Sequence, residues 1–239
     1  MRYYPGFSHL HPGLSEKPFH GTGIWGTYAD AFYPDCTCRR RSDFNRFLIN
    51  WLKNLFGESD YEALNRDASK LPPGSENLIV QEHFQGNRTP HTDPKSRGAF
   101  HGLTLKHGRE HLFRAAIEGV AFGSELILES MRSNGFFPES IVVSGGATRS
   151  ELWLQIHSDV SNLPLTLTKN PDAPLLGCAI LAAVGAGIYE DIHTAVEQMV
   201  QIDRVIEPNS QVHAEYQPFY EAYKASYLGL RNIRNNLEN

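Results

Sequence analysis

The chain has 239 residues, of which 41% are hydrophobic and 21% charged, enough for one large domain or two small ones. Its net charge of −5 argues against a nucleic-acid surface. It contains no run of about eighteen apolar residues and no charged, then apolar N-terminus, so we expect neither a membrane span nor a secretory signal. The three cysteines are an odd number without C-x-x-C spacing, which argues against a disulfide framework and for a reducing, cytoplasmic setting.

The first part of the chain is irregular. Residues 1–34 are rich in aromatic residues, glycine and proline, as in the run GIWGTYADAFYP. Such a composition is typical of loops and short strands that bury large side chains. Residues 35–50 read DCTCRRRSDFNRFLIN and carry three consecutive arginines.

Regular elements are predicted from there on. Apolar spacing predicts one helix from about residue 48 to 56 and a second over 61–68. Residues 78–84, LIVQEHF, are predicted to form a strand, and Asp93-Pro94 marks a turn after it.

Histidines are frequent between residues 83 and 111, which raises a metal hypothesis. His107 and His111 are four residues apart and can share a helical face, with Glu110 beside them. The order is not H-E-x-x-H, and no third ligand follows at a telling spacing. Solvated or hydrogen-bonded histidines are therefore the preferred interpretation, and we assign no metal ligand.

A long helix is predicted from Glu110 to Arg132 by sustained apolar spacing. Gly119 and Gly123 lie four residues apart within it. Because charged residues punctuate this helix, we expect the glycines to allow close packing in a core rather than pairing in a membrane. Gly135 is placed to end the helix.

The stretch that organises the chain is IVVSGGATRSELWLQIHSDVSNLPLTL, residues 141–167. A β-branched run enters the glycine pair Gly145-Gly146, and helical spacing follows at once, which predicts strand, tight turn and helix. Three apolar positions are expected to face the core: Leu152, Ile156 and Val160. Four polar positions are expected to face solvent: Ser150, Glu151, His157 and Asp159.

A second strand is predicted over 165–168, after Pro164, so the unit is strand, helix, strand and the class is α/β. Backbone amides at a helix N-terminus, with no side chains in the way, form a site for an anion such as phosphate. The turn is neither a P-loop nor a Rossmann fingerprint, and on local grounds alone a simple tight turn is the preferred interpretation.

Three helices are predicted beyond the second strand. Residues 175–188 form a small, apolar helix that can approach a sheet or a ligand closely. Helices are also expected over 190–200 and 211–234. The last carries an aromatic stripe that we interpret as core packing rather than as a cofactor box: Tyr216, Phe219, Tyr220, Tyr223, Tyr227 and Leu230.

The glycine-pair segment resembles the second signature of the FGGY family of carbohydrate kinases. In that signature a glycine pair is followed by a small polar residue, an aromatic or aliphatic position and a D-[VI]-x-x-x-P run. The matching residues here are Gly145-Gly146, Ser150, Trp153, and Asp159-Val160 with Pro164. Three further segments are similar to family segments, so that roughly residues 78–235 resemble the C-terminal half of such a kinase.

This resemblance implies an α/β, ribonuclease H-like (actin-like ATPase) fold, as the C-terminal domain of a two-domain sugar kinase. It implies ATP and Mg²⁺ as cofactors, with the γ-phosphoryl group passing to a sugar hydroxyl. The implied nucleotide contacts are the amides of Gly145, Gly146 and Ala147, a polar contact from Ser150, and packing of Trp153 on adenine. For Trp153 a buried core position is the alternative.

The resemblance also places the family's catalytic base upstream of this chain, because residues 1–34 are similar to the stretch that follows the N-terminal domain. None of Asp30, Asp35 and Asp43 lies in the matching context. We therefore assign no catalytic residue and expect weak or absent kinase activity from the chain in isolation.

Residues 35–50 allow three interpretations. Family members carry a glycine- and threonine-rich turn here that touches ATP phosphates, whereas this chain has Arg39, Arg40 and Arg41. The arginines could clamp phosphate, or they could be a solvated basic run, which we prefer. A shifted reading frame is the third interpretation. Codons can be chosen for residues 39–47 that, read one base later, encode Glu-Gly-Gly-Gln-Thr-Ser-Thr-Gly, which is the turn that family members carry here.

We divide the chain into a remnant of the interdomain or N-terminal region (1–34), an altered helical segment (35–77) and a nucleotide-binding domain (78–235). The expected function is the nucleotide-binding half of an ATP-dependent carbohydrate kinase, with a pentulose of the ribulose or xylulose type as substrate. The rivals are a truncated, non-catalytic FGGY-like protein and an actin-like ATPase without sugar chemistry. We expect ATP and a small sugar as ligands, with a second copy or an N-terminal half as partner, since half a fold exposes apolar surface.

Overall fold

The computed structural model describes residues 9–10, 13–15, 25–29, 37–40, 42–43, 46–57 and 60–237, and before residue 48 it describes the backbone alone. The loops predicted within 1–34 lie outside this set. So do the arginine side chains at 39–41, and the three interpretations of that run stay open.

Five short strands are described at the start of the chain. β1 (His9–Leu10) pairs antiparallel with β5 (Ser42–Asp43). The strands between them form an antiparallel sheet of order β2-β4-β3, made of β2 (Gly13–Ser15), β3 (Trp25–Ala29) and β4 (Thr37–Arg40).

The two predicted helices of the next segment are confirmed as α1 (Arg46–Leu55) and α2 (Tyr61–Ala68). Asp60 starts α2 because its carboxylate accepts hydrogen bonds from the amides of Glu62 and Ala63, at 2.9 and 3.1 Å. Both helices bury leucines and pack against the long helix α3 (Arg109–Ser133).

The strand predicted over 78–84 is shorter in the structure. β6 (Ile79–Gln81) pairs antiparallel with β7 (Ala99–His101), which was not predicted. β6 ends because the next residues turn, with the Phe84 amide donating to the carbonyl of Glu82 at 2.7 Å.

The long helix is confirmed as α3 (Arg109–Ser133), with 25 residues. Gly135 follows its C-cap with a φ of +85°, a left-handed conformation that glycine adopts without strain. The close packing expected of the glycine pair is confirmed at Gly119, where a Cβ atom would lie 2.6 Å from the carbonyl oxygen of Val80.

The predicted strand, turn, helix and strand are also confirmed. β8 (Ile141–Val143) leads through a 3₁₀ helix (Gly146–Arg149) into α4 (Glu151–Ser161), and β9 (Leu165–Thr168) returns parallel to β8. An unpredicted strand, β10 (Ile202–Ile206), pairs antiparallel with β9, giving the order β10-β9-β8.

Three helices complete the chain, as predicted: α5 (Ala173–Gly185), α6 (Ile192–Met199) and α7 (Ser210–Leu237). Four tyrosines of α7 are buried, which confirms the core interpretation of the aromatic stripe. Helix α5 packs against α6 but leaves apolar surface open, with Leu175 and Leu181 each 54% exposed. No helix in the described ranges has the length and apolarity needed to cross a bilayer.

The main core lies between α3, α4, α7 and the sheet, around Phe113, Phe122 and Leu154. A buried polar cluster crosses it. The Glu118 carboxylate accepts hydrogen bonds from Arg114 Nε at 2.9 Å and from Tyr216 Oη at 3.1 Å. It also accepts from the Gly74 amide at 3.1 Å and from the Ser75 hydroxyl at 2.7 Å. Burial raises the pKa of Glu118, and the charge of Arg114 together with the hydrogen bonds from Ser75, Arg114 and Gly74 opposes that rise.

Gly119 and Gly229 provide a matched test of the α3–β6 packing. Gly119→Ala should lower the free energy of unfolding by about 1–3 kcal/mol, because the new methyl group meets a backbone carbonyl that cannot rotate away. Gly229→Ala in α7, where nothing lies within 4 Å of the added carbon, should raise it by roughly 0.5–1 kcal/mol through helix propensity. Urea unfolding followed by circular dichroism measures both changes. Equal changes in the free energy of unfolding in the two variants would contradict the packing.

Candidate functional site

The glycine turn, residues 144–149, lies between β8 and α4. Gly145 has a φ of +90°, so a side chain at this position would be strained. Its amide donates to the carbonyl of Pro171 at 2.7 Å, and its own carbonyl accepts from the Thr148 hydroxyl at 2.7 Å and the Thr148 amide at 3.2 Å. These bonds fix the turn from both sides.

The outer surface of the turn is open. Ser144, Gly145 and Gly146 are exposed, and no atom lies within 4 Å of the position that a Cβ on Gly145 would take. Ala147 is the second residue of the 3₁₀ helix, and Arg149 is exposed at its end. Amides at the start of a helical segment, beside a cation, can bind a phosphate group.

Ser150 is buried beneath the turn and is the N-cap of α4. Its hydroxyl oxygen accepts the amide hydrogen of Trp153 at 3.1 Å and donates to Asn65 Oδ1 at 2.6 Å. The first bond satisfies one of the unpaired amides at the helix start, and the second ties α4 to α2.

Trp153 is 9% exposed and belongs to the main core. Its ring stacks on that of His157, with 3.5 Å between centroids and 22° between planes. This position favours the core-packing interpretation, and the contact with adenine stays a prediction.

The solvent-facing pattern predicted for α4 is wrong at three of its four positions. Ser150, His157 and Asp159 are buried, and only Glu151 is exposed, where it pairs with Arg204. The reason is that α4 lies between two helices and is covered on more than one face by α3 and α7. A single-faced amphipathic pattern does not describe such a helix.

Asp159 illustrates what the buried polar residues do. Its carboxylate accepts the Asn209 amide at 2.8 Å and the Gln155 side-chain amide at 2.9 Å, and its carbonyl accepts from His213 Nδ1 at 2.8 Å. These bonds fasten the start of α7 to the end of α4. Burial raises the pKa of Asp159, and the Asn209 and Gln155 hydrogen bonds oppose that rise.

The N-terminus of α5 adjoins the glycine turn through the bond from Gly145 to Pro171. Asp172 is the N-cap of α5, and its side chain makes no capping hydrogen bond. The resemblance to FGGY kinases implies that α5 borders the nucleotide cleft, which stays a prediction; Asp172 and Pro174 are both exposed beside the turn.

Sequence reasoning missed three residues that shape the turn: Asn65, Thr148 and Pro171. Thr148 carries a local signal, since a hydroxyl three residues after the glycine can close a turn onto it. Asn65 is 85 positions from Ser150 and gives no local signal.

His107 and His111 are hydrogen-bonded, in agreement with the interpretation preferred from the sequence. His107 Nδ1 accepts the Thr104 amide at 2.9 Å, and His111 Nδ1 accepts the Gly108 amide at 3.1 Å at the start of α3. Within the described residues, no three His, Cys, Asp or Glu side chains are grouped as a metal site would require.

Comparison with known proteins adds to this geometry. The sequence model of the FGGY family of carbohydrate kinases, C-terminal domain, matches residues 6–186. A xylulose kinase from Staphylococcus epidermidis is 33% identical over 192 residues, covering 80% of this chain and 39% of the relative. A ribulokinase from Bacillus licheniformis is 33% identical over 184 residues, covering 74% of this chain and 33% of the relative.

A solved structure of xylulose kinase from Rhodospirillum rubrum superposes with a TM-score of 0.83 at 26% identity, over 95% of this chain and 46% of that one. The chain thus spans less than half the length of these relatives. It belongs to the FGGY family of carbohydrate kinases and has the ribonuclease H-like, actin-like ATPase fold of the family's C-terminal domain.

Proposed function

We propose that this chain supplies the nucleotide-binding half of an ATP-dependent carbohydrate kinase whose substrate is a pentulose. The observation that carries the proposal is the open glycine turn at the start of α4, in a chain that belongs to a family of sugar kinases. Relatives named xylulose kinase and ribulokinase support a five-carbon ketose as the substrate class.

In this proposal the amides of Gly146 and Ala147 face the ATP phosphates. The Gly145 amide, predicted from the sequence as a third contact, instead donates to the Pro171 carbonyl and holds the turn in shape. Arg149 is exposed at the end of the turn and adds a positive charge. Ser150 acts from below by holding the helix start in place, since its hydroxyl already bonds Trp153 and Asn65. Residues 78–235 form the nucleotide-binding domain, together with α1 and α2, which share its core.

Mg²⁺ fits this site as a companion of ATP. The ion is commonly held by substrate phosphates, several waters and one or two carboxylates, so a dedicated cluster of protein ligands is not needed. Its chemistry would be to neutralise charge on the transferring phosphoryl group. We assign no protein ligand to it and no catalytic base to this chain.

The relatives' greater length bears on activity. Because the chain covers 39% of the Staphylococcus epidermidis xylulose kinase, we propose that sugar phosphorylation needs a second half. A truncated, non-catalytic family member and an ATPase without sugar chemistry remain the rival functions. Pentulose-dependent ATP consumption, measured after this chain is mixed with the N-terminal half of a relative, would exclude both.

Gly146→Asp should weaken binding of ATP with Mg²⁺ by about tenfold or more, since a carboxylate would face the phosphates at the mouth of the turn. Isothermal titration calorimetry on the full chain measures the change. Gly229→Asp is the matched control, because it adds the same charge at an open position of α7.

Two results of this titration would contradict the proposal. One is the absence of saturable ATP binding by a folded wild-type chain. The other is an equal loss of affinity in both aspartate variants, which would indicate a general charge effect rather than a site at the turn.

Ser150→Ala should lower the free energy of unfolding by about 1 kcal/mol, because α4 loses its N-cap and its bond to Asn65. Ser150→Thr keeps a hydroxyl of good capping propensity and should restore most of the loss. Urea unfolding measures both, with Ser133→Ala as an exposed control on α3. A stable Ser150→Ala chain with weakened ATP binding would instead favour direct contact of the hydroxyl with the nucleotide.

A further inference from the structure

A second cleft, distinct in its residues from the glycine turn, lies between the loop 91–95 and the C-terminal part of α7. Its volume is about 450 Å³, within the range of small-molecule sites. We call it the α7 cleft. The side chains that matter for the argument are His91, Asp93, Lys95, Tyr227, Arg231 and Arg234.

One wall of the α7 cleft is a closed loop. The amide of Asn87 donates to the Asp93 carbonyl at 2.9 Å and the amide of Asp93 donates back at 2.7 Å. The His91 amide also donates to Asn87 Oδ1 at 3.0 Å. Reciprocal bonds across the loop fix the direction in which its side chains point, so this wall is formed before any ligand arrives.

The other wall is one face of α7. Tyr227, Arg231 and Arg234 follow one another at spacings of four and three residues, which places them in a single stripe. The Tyr227 ring stacks on the His91 ring, with 3.8 Å between centroids and 6° between planes. This flat pair joins the helix to the loop and leaves the arginines beside it.

The α7 cleft carries a net positive charge. Lys95, Arg231 and Arg234 contribute three cations, and Asp93 contributes the single carboxylate among its lining residues. That carboxylate accepts from Arg234 Nη2 at 2.7 Å, Tyr227 Oη at 3.1 Å and the Lys95 amide at 3.0 Å. It therefore orients Arg234 and is itself fully engaged.

Arg231 is the cation best placed for a ligand. It is exposed, and no ion pair joins it to another residue in the described part of the chain. Arg231 and His91 line the same cleft. Burial lowers the pKa of His91; the Asp93 carboxylate opposes that lowering, and the charge of Arg231 adds to it. The planar guanidinium of an arginine can donate two parallel hydrogen bonds to phosphate oxygens. Arg231 lies in the cleft with the stacked ring pair and two further cations, Lys95 and Arg234.

We propose that the α7 cleft binds the phosphate group of a small phosphate monoester. None of the residues that line the cleft belongs to the glycine turn, residues 144–149. The proposal does not depend on nucleotide binding at the glycine turn.

The test is a calorimetric titration of the full chain with inorganic phosphate, sulfate and ribose 5-phosphate as probes. Wild type should bind ribose 5-phosphate saturably and more tightly than either inorganic ion. Arg231→Gln should weaken that binding by about tenfold or more, as expected for loss of a charge-assisted contact. Arg66→Gln, which removes an exposed charge from α2, should leave it unchanged.

Other outcomes overturn the proposal. No saturable binding by a folded wild-type chain would exclude the site, and equal affinity for sulfate and ribose 5-phosphate would mean a general anion site only. Binding that is lost in Gly146→Asp but kept in Arg231→Gln would place the phosphate at the glycine turn instead. Because Arg231 is exposed, we expect its replacement to leave the fold intact. Circular dichroism checks the folded state of each variant.

Discussion

The buried ion pair between Arg114 and Glu118 is the interaction on which the arrangement of helices depends. A charge pair taken out of water is costly unless hydrogen bonds satisfy both partners. Here Arg114 also donates to the Ala68 carbonyl at 3.2 Å and to Tyr216 Oη at 3.0 Å, while Glu118 accepts four bonds. One residue pair on α3 thereby holds the end of α2, the turn after it and the buried face of α7.

That arrangement reaches the glycine turn through α2. Asn65, on the helix whose last carbonyl bonds Arg114, accepts the hydroxyl of Ser150 at 2.6 Å, and Ser150 caps α4 directly after the turn. Asp159 holds the other end of α4 to α7. The turn thus precedes a helix that is anchored at both ends, which holds the backbone of the turn in place.

Local patterns carry part of this structure and tertiary contacts carry the rest. The strand, glycine turn, helix and strand over residues 141–168 were predictable because each has its own local pattern. β-branched residues mark the strand, glycines mark the turn and helical apolar spacing marks the helix. β10 was missed since Asp203 and Arg204 interrupt its apolar residues and most of the strand is exposed. The burial of Asp159 was missed because its partners, Asn209 and His213, lie about fifty residues later in the chain. The apolar side of α5 is exposed at Leu175 and Leu181, and the close approach to a sheet or a ligand expected from its small residues stays a prediction.

The proposed nucleotide site at the anchored glycine turn can be tested by hydrogen–deuterium exchange of the full chain, with and without saturating ATP and Mg²⁺. We expect slower exchange of the amides at 144–150 in the presence of the nucleotide, with the middle of α7 unchanged. Unaltered exchange at 144–150 in a folded chain would contradict the proposed site.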